Sequence, residues 1–402
     1  MESGKSKKIF GVTSIIFWVG VVSLLTDLSS EMIVPILPLF LTGVLHTQIG
    51  TIGIIEGIAE STASILKLFS GWLSDRLGKR KPLMLAGYGF SNLIKPFFAL
   101  TTSGWQVLLI RFGERFGKGV RGAPRDALIA DATTNENRGK AFGFHRSMDT
   151  LGAAIGPLVA YLILASHKGH YRMVFWVSAI PGILAVIVLI FFLKEKQSIE
   201  KTVQRGMPKI GFKNMDRTFI SFTLISALFA LGNSSDAFLI LQAKNVGMNE
   251  MFIPLAYLVF NLTYVFFSMP AGVLSDRIGR KPVIIGGYVI FALIYLGFGL
   301  VKHSVGIWVL FIFYGLYYAA TEGIQKAYVA DLVPTGKRGT AMGTFNAITG
   351  IAALPASILT GFLWQSFGPL AAFGTSSAFA LLSAILLFIF SKLGKGEKRS
   401  VL

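Results

Sequence analysis

The chain has 402 residues and a formal net charge of +18, with 53% hydrophobic and 14% charged residues. Soluble domains carry about 25% charged residues, and uncharged runs such as 174–193 and 370–390 are long enough to cross roughly 30 Å of hydrocarbon as helix. The composition excludes soluble enzymes, secreted disulfide scaffolds and disordered chains, and the absence of cysteine excludes disulfides, thiol catalysis and Cys-ligated metals.

Lys5, Lys7 and Lys8 precede the first apolar run. No small-residue cleavage site follows, so that run is expected to stay as the first helix rather than be removed. Hydropathy and breaker residues predict twelve spans, near 12–42, 49–73, 82–102, 104–131, 139–166, 171–193, 217–241, 251–273, 282–301, 304–331, 339–366 and 369–391. The proposed cytoplasmic segments hold 25 Lys and Arg; the opposite loops hold only Lys168, Arg172, Lys244 and Lys302. The positive-inside rule then puts both termini in the cytoplasm. Most of the excess charge is a topology signal beside anionic lipid headgroups, and no nucleic-acid partner is needed. The expected fold is all-α, with twelve transmembrane helices in two six-helix bundles, 1–193 and 217–402, joined by a polar linker at 194–216.

The two halves are copies. Gly71-Trp-Leu-Ser-Asp75-Arg76-Leu-Gly78 recurs as Gly272-Val-Leu-Ser-Asp276-Arg277-Ile-Gly279, and Arg80-Lys81-Pro82 recurs as Arg280-Lys281-Pro282. Ala130-Asp131 and Arg138-Gly139 recur as Ala330-Asp331 and Arg338-Gly339. Three matched blocks in register describe parallel repeats related by an axis along the membrane normal.

Twelve spans, a central polar loop and this duplicated loop motif resemble the major facilitator superfamily along the whole chain. The resemblance implies two bundles that rock about a central cavity, with Asp75 and Arg76 latching the cytoplasmic gate and Asp276 and Arg277 as their counterparts. Gly71, Arg80, Asp131, Arg138, Gly272, Asp331 and Arg338 complete the implied gating set, and Gly78 and Gly279 suit its tight turns. The competing reading is that these loop charges only set topology. Gly152-Ala-Ala-Ile-Gly156-Pro157 resembles the antiporter signature of the drug/proton branch, from which Ala160-Tyr161 depart, and Arg111 on span 4 stands where that branch carries a membrane Arg. The first resemblance implies export. Close helix packing through Gly152, Gly156 and Pro157 is the equal alternative.

Nine basic residues fall inside predicted spans, where each ionisable group costs several kcal/mol unless paired or hydrated. Asp27 and Glu31 share one face of span 1, and Glu56, Glu60 and Lys67 one face of span 2. Span 4 carries a cationic stripe of Arg111, Arg115, Lys118 and Arg125, with Arg121 beside it. In the first-half spans eight bases face seven acids, which suits internal pairing between spans 1, 2 and 4. A small surplus still suits an anionic group, which Arg and Lys bind well.

Low dielectric favours a neutral carboxyl and a nearby cation favours the ionised one, so a carboxylate that changes partners exchanges protons. Asp27, Glu31 and Glu56 are the expected carriers, with Arg111 as modulating cation. Arg115, Lys118, Glu60, Arg146, Asp149, Asp236, Glu322 and Lys326 are the expected solute contacts. His46, His145, His167, His170 and His303 give no metal site. The aromatic run 311–318 reads as packing, and no nucleotide loop, nucleophile motif or cofactor is expected.

The sequence therefore predicts a secondary transporter of a bacterial cytoplasmic membrane. It would move a small organic anion or zwitterion against protons, among membrane lipids, and a monomer suffices. Proton-driven uptake of an anionic metabolite or siderophore-type chelate is the rival within transport; a lipid flippase or a non-transporting receptor is the rival outside it.

Overall fold

The computed structural model describes residues 8–9, 12–133, 137–167, 169–193, 211–212, 215–334 and 338–397; of 8, 9, 138, 139 and 393–397 it describes the backbone. Most of the expected linker, the N-terminal lysines and the side chain of Arg138 lie outside the described residues. A two-residue hairpin, β1 (Lys8–Ile9) with β2 (Val12–Thr13), leads into fourteen α-helices. They are α1 (Ser14–Ile33), α2 (Leu37–Gly43), α3 (Ile49–Leu77), α4 (Lys81–Ile94), α5 (Gly104–Asp131), α6 (Arg138–Ser166) and α7 (Tyr171–Phe191). There follow α8 (Arg217–Gly232), α9 (Ala237–Asn245), α10 (Ile253–Ile278), α11 (Arg280–Leu300), α12 (Ser304–Asp331), α13 (Arg338–Phe367) and α14 (Pro369–Glu397).

Eleven helical stretches among the described residues are long and apolar enough to cross a membrane. The expected fourth span is also a single helix, α5, but it carries too many charges to join them. Large apolar side chains such as Phe266, Met269 and Leu109 stand exposed, as lipid-facing surface requires.

The first and seventh expected spans are each broken. Pro35 has no N–H to continue α1, and its ring clashes with the preceding turn; the chain turns at 34–36 and resumes as α2. About 200 residues on, Asn233, Ser234, Ser235 and Asp236 separate α8 from α9. Short polar side chains compete for backbone groups there: the Ala237 N–H donates to Ser235 Oγ at 3.3 Å. At the N-terminal end of α8, Asp216 Oδ2 accepts the Thr218 N–H at 3.0 Å; these Thr218 bonds hold its carboxyl below the usual range.

The chain divides into two compact units, one of residues 1–40 and 62–208, the other of 41–61 and 209–402. In the first unit α1 packs on α6 and α7, and α4 on α5 and α7. Ile16, Val19, Val22, Met84, Tyr88 and Ile129 form one buried cluster there. In the second unit α10 packs on α12, α11 on α12 and α14, and α8 on α13 and α14. The start of α3 belongs to this second unit: Ser61 Oγ donates to Gly350 O at 2.8 Å, and Gly53 lies against the Ser357 carbonyl.

Two glycines set the α1–α6 seam. A Cβ at Gly152 would stand 2.5 Å from Leu24 O, and one at Gly156 would stand 2.8 Å from Glu31 Cβ. No side chain fits at that separation, so α1 and α6 meet backbone to backbone, as small-xxx-small faces permit. Gly152→Ala and Gly156→Ala should each cost about 1–3 kcal/mol. Thermal unfolding of the purified protein should show a lower midpoint for both, whereas Gly143→Ala, whose Cβ meets nothing within 4 Å, should leave it equal or higher.

Candidate functional site

The duplicated loop motif builds the same ion-pair node twice. In the first unit Arg80 Nη1 lies 2.6 Å from Asp75 Oδ1, and Arg80 Nε lies 3.3 Å from Asp131 Oδ2 at the end of α5. In the second unit Arg280 Nη1 lies 2.6 Å from Asp276 Oδ1, and Arg280 Nε 3.3 Å from Asp331 Oδ2 at the end of α12. Each arginine also donates to a serine hydroxyl, Ser74 or Ser275. The planar guanidinium can serve two carboxylates and a hydroxyl together, which an ammonium cannot do with the same geometry.

Gly78 and Gly279 have φ of +62° and +94°, the left-handed turn that ends α3 and α10 and returns the chain toward these acids. Arg76 instead lies over the Trp72 ring at 5.5 Å. The centre of each node is thus Arg80 or Arg280, where the sequence pointed first to Arg76 and Arg277. Arg280 was missed, although the repeat of Arg80-Lys81-Pro82 contained it. Gly71 lies beside Ala123, Gly272 has open space, and Arg338 Nε donates to Ala330 O at 3.1 Å.

Inside the first unit, Glu114 is 3% exposed and accepts Arg111 Nη1 at 3.0 Å, with Arg115 Nε at 3.5 Å. Arg125 binds Asp126 Oδ1 through Nη2 at 2.9 Å, and Lys67 Nζ lies 3.5 Å from Asp126 Oδ2. Arg121 stacks over the Tyr88 ring at 4.3 Å. Part of the α5 stripe is therefore matched by acids of α5 itself. Arg111 and Arg115, expected as modulator and solute contact, lie buried in this matched set. Lys118 and Arg146 are exposed.

Lys95 is 1% exposed and donates to Ser30 Oγ and Asn92 Oδ1 at 2.8 Å, with Ser29 Oγ at 3.3 Å. His145, also buried, shares a 2.8 Å hydrogen bond with Ser23 Oγ, and its Nδ1 lies 3.6 Å from Asp149 Oδ2.

Asp27 differs from Glu114. It is half-buried against Gly152, and among the described residues no hydrogen bond or ion pair reaches its carboxylate. Its charge is felt by Asp149, Arg121, Lys118 and Arg125 at longer range. Glu31, four residues on, lies against Gly156.

Glu56 and Glu60, near the start of α3, belong to the second unit. Glu56, buried, accepts Ser235 Oγ at 3.3 Å. Asp236 accepts Tyr314 Oη at 2.6 Å and Tyr257 Oη at 3.2 Å. Glu322 accepts Tyr264 Oη at 3.0 Å and Lys326 Nζ at 3.1 Å. These tyrosines were also missed; the helical spacings 257–264 and 314–318 that align them were in the sequence. Away from helix ends, the first unit holds Lys67, Lys95, Arg111, Arg115, Lys118, Arg121, Arg125 and Arg146 against Asp27, Glu31, Glu114, Asp126 and Asp149. The second holds Glu56, Glu60, Asp236 and Glu322 against Lys326. No group of three or more metal-binding side chains occurs among the described residues.

A helical, multi-pass chain with an ionised interior and duplicated ion-pair nodes is a membrane transporter in class. The family model of the Major Facilitator Superfamily matches residues 19–235 and 215–400, and the chain belongs to that family. It is 37% identical over 378 residues to an uncharacterized MFS-type transporter of Methanocaldococcus jannaschii, covering 92% of this chain and 94% of that one. It is 27% identical over 356 residues to a probable 4-methylmuconolactone transporter of Cupriavidus pinatubonensis, covering 82% and 81%. Its fold matches the crystal structure of the nucleoside transporter NupG with a TM-score of 0.74 at 16% identity, covering 95% and 99%. The chain is a transporter of that superfamily, and not an enzyme.

The nodes make a local prediction. Arg80→Ala should raise amide exchange in 74–81 and 128–133 by about fivefold, the equivalent of ~1 kcal/mol. Arg280→Ala should do the same in 275–281 and 328–332. Hydrogen-exchange mass spectrometry that finds no local change in either variant would remove the nodes from the account.

Proposed function

We propose that the protein is a proton-coupled antiporter that exports a small organic anion or zwitterion by alternating access. The contrast between Glu114 and Asp27 carries this reading. Glu114 lies 3.0 Å from Arg111 Nη1 and 3.5 Å from Arg115 Nε, and suits a permanent scaffold. Asp27 has no direct partner among the described residues, lies within the field of Asp149, and faces three cations at longer range. Two nearby carboxylates share a proton readily, because both cannot stay ionised cheaply in low dielectric.

Protonation at Asp27 also acts where α1 and α6 touch most closely, so a changed charge bears on a seam with no slack. Export is favoured because the Gly152-to-Pro157 element that resembles the antiporter signature forms that seam. Uptake of an anionic metabolite uses the same groups and is the alternative direction.

The basic excess of the first unit supports an anionic group on the solute, with the exposed Lys118 and Arg146 as its contacts in place of the buried Arg115. A relative whose name includes 4-methylmuconolactone supports a small organic cargo. On this reading residues 1–193 and 217–402 form two six-helix bundles, with 194–216 as linker. Both termini are cytoplasmic, the chain is a monomer, and lipids surround it in a cytoplasmic membrane.

Proteoliposomes with an imposed pH gradient and an internal pH dye test the reading against a panel of organic anions, zwitterions and cations. Anions or zwitterions should move protons, and Lys118→Ala should lower the rate about tenfold, as loss of a charged contact of ~1.4 kcal/mol would. Proton movement with cations alone, undiminished by Lys118→Ala, would defeat the anion assignment.

A further inference from the structure

The turn between α8 and α9 carries a carboxylate that no cation balances. Asp236 Oδ1 accepts from Tyr314 and Oδ2 from Tyr257. Both donors are neutral, and no Lys or Arg lies within ion-pair distance of it among the described residues. Glu56 and Glu60 add negative charge nearby. Each carboxylate oxygen can accept a second hydrogen bond, and Asp236 keeps accessible surface.

Aromatic rings pack around the two tyrosine donors. The Phe260 centroid is 5.2 Å from that of Tyr257 and 5.1 Å from those of Tyr314 and Tyr318. Tyr318 is half-buried, its charge interaction reaches Asp236, and its hydroxyl has no hydrogen bond among the described residues. The Ser234 hydroxyl, on the turn itself, is buried and also lacks a partner among them. Unbalanced negative charge beside ring faces and unused hydroxyls matches a compact cation that both donates hydrogen bonds and polarises π-electrons. A metal ion would want several converging oxygens and no ring face.

We infer that Asp236 and the face of Tyr318 bind a protonated primary amine, so that the transported solute is a zwitterion or amine-bearing compound. The inference rests on the solute-transport reading for its meaning, but its test needs no turnover.

Purified full-length protein is heated with phenethylamine, or with phenethyl alcohol, which has the same ring and chain without the charge. The amine should raise the midpoint by about 3 °C at saturating concentration, and the alcohol should not. Asp236→Asn should abolish the shift. Tyr318→Leu, which leaves the carboxylate intact, should weaken apparent affinity about fivefold and keeps the test decisive should the first variant fold poorly. Equal shifts from amine and alcohol, or an amine shift unchanged in both variants, would overturn the inference. Anion-driven proton movement without an amine shift defeats the amine site alone. An amine shift without movement of any solute defeats the transport reading alone.

Discussion

Glu114 holds two guanidinium groups deep within the first unit, and the arrangement of that unit follows from the need to do so. An ion taken from water into protein loses several kcal/mol of solvation, which only close counter-charges and hydrogen bonds restore. α5 meets this demand locally, by placing Glu114 between Arg111 and Arg115 and Asp126 beside Arg125. Those pairs are made within one helix. On the proposed reading, Asp27 on α1 and Asp149 on α6 change state while the pairs within α5 stay closed.

The two repeats solve the same backbone problem in the same place and then diverge in chemistry. Each breaks its first helix, at 34–36 and at 233–236, and each closes an arginine across two aspartates. Around these common features the first unit gathers excess base, while the second gathers acid and tyrosine. The segment 41–61 sharpens the division, since Glu56 and Glu60 leave the repeat that encodes them and lie with Asp236.

Much of this could be read from the sequence, because hydropathy, breaker residues and an in-register repeat are local signals. The turns at Gly78 and Gly279, the helices and the family were visible that way. Pairing was not, since it depends on which neighbour a long side chain reaches. Four residues of spacing placed Arg111 and Arg115 on one face, but nothing in the spacing said that Glu114 would take both. Arg280 was written in the repeat and passed over because the motif drew attention to Asp276 and Arg277. The aromatic run of α12 looked like packing and the tyrosines of α10 drew no reading; both acquire one only beside Asp236, more than twenty residues away in sequence from Tyr257 and further from Tyr314.

The claim on which the account turns is that Asp27 carries the coupled proton while the α5 pairs are scaffold. Solute counterflow, which needs no net proton movement, separates the two in the Asp27→Asn variant. The account predicts that exchange of labelled for unlabelled solute persists at close to the wild-type rate while pH-driven movement is lost. Loss of both in equal proportion, or survival of both, would contradict it.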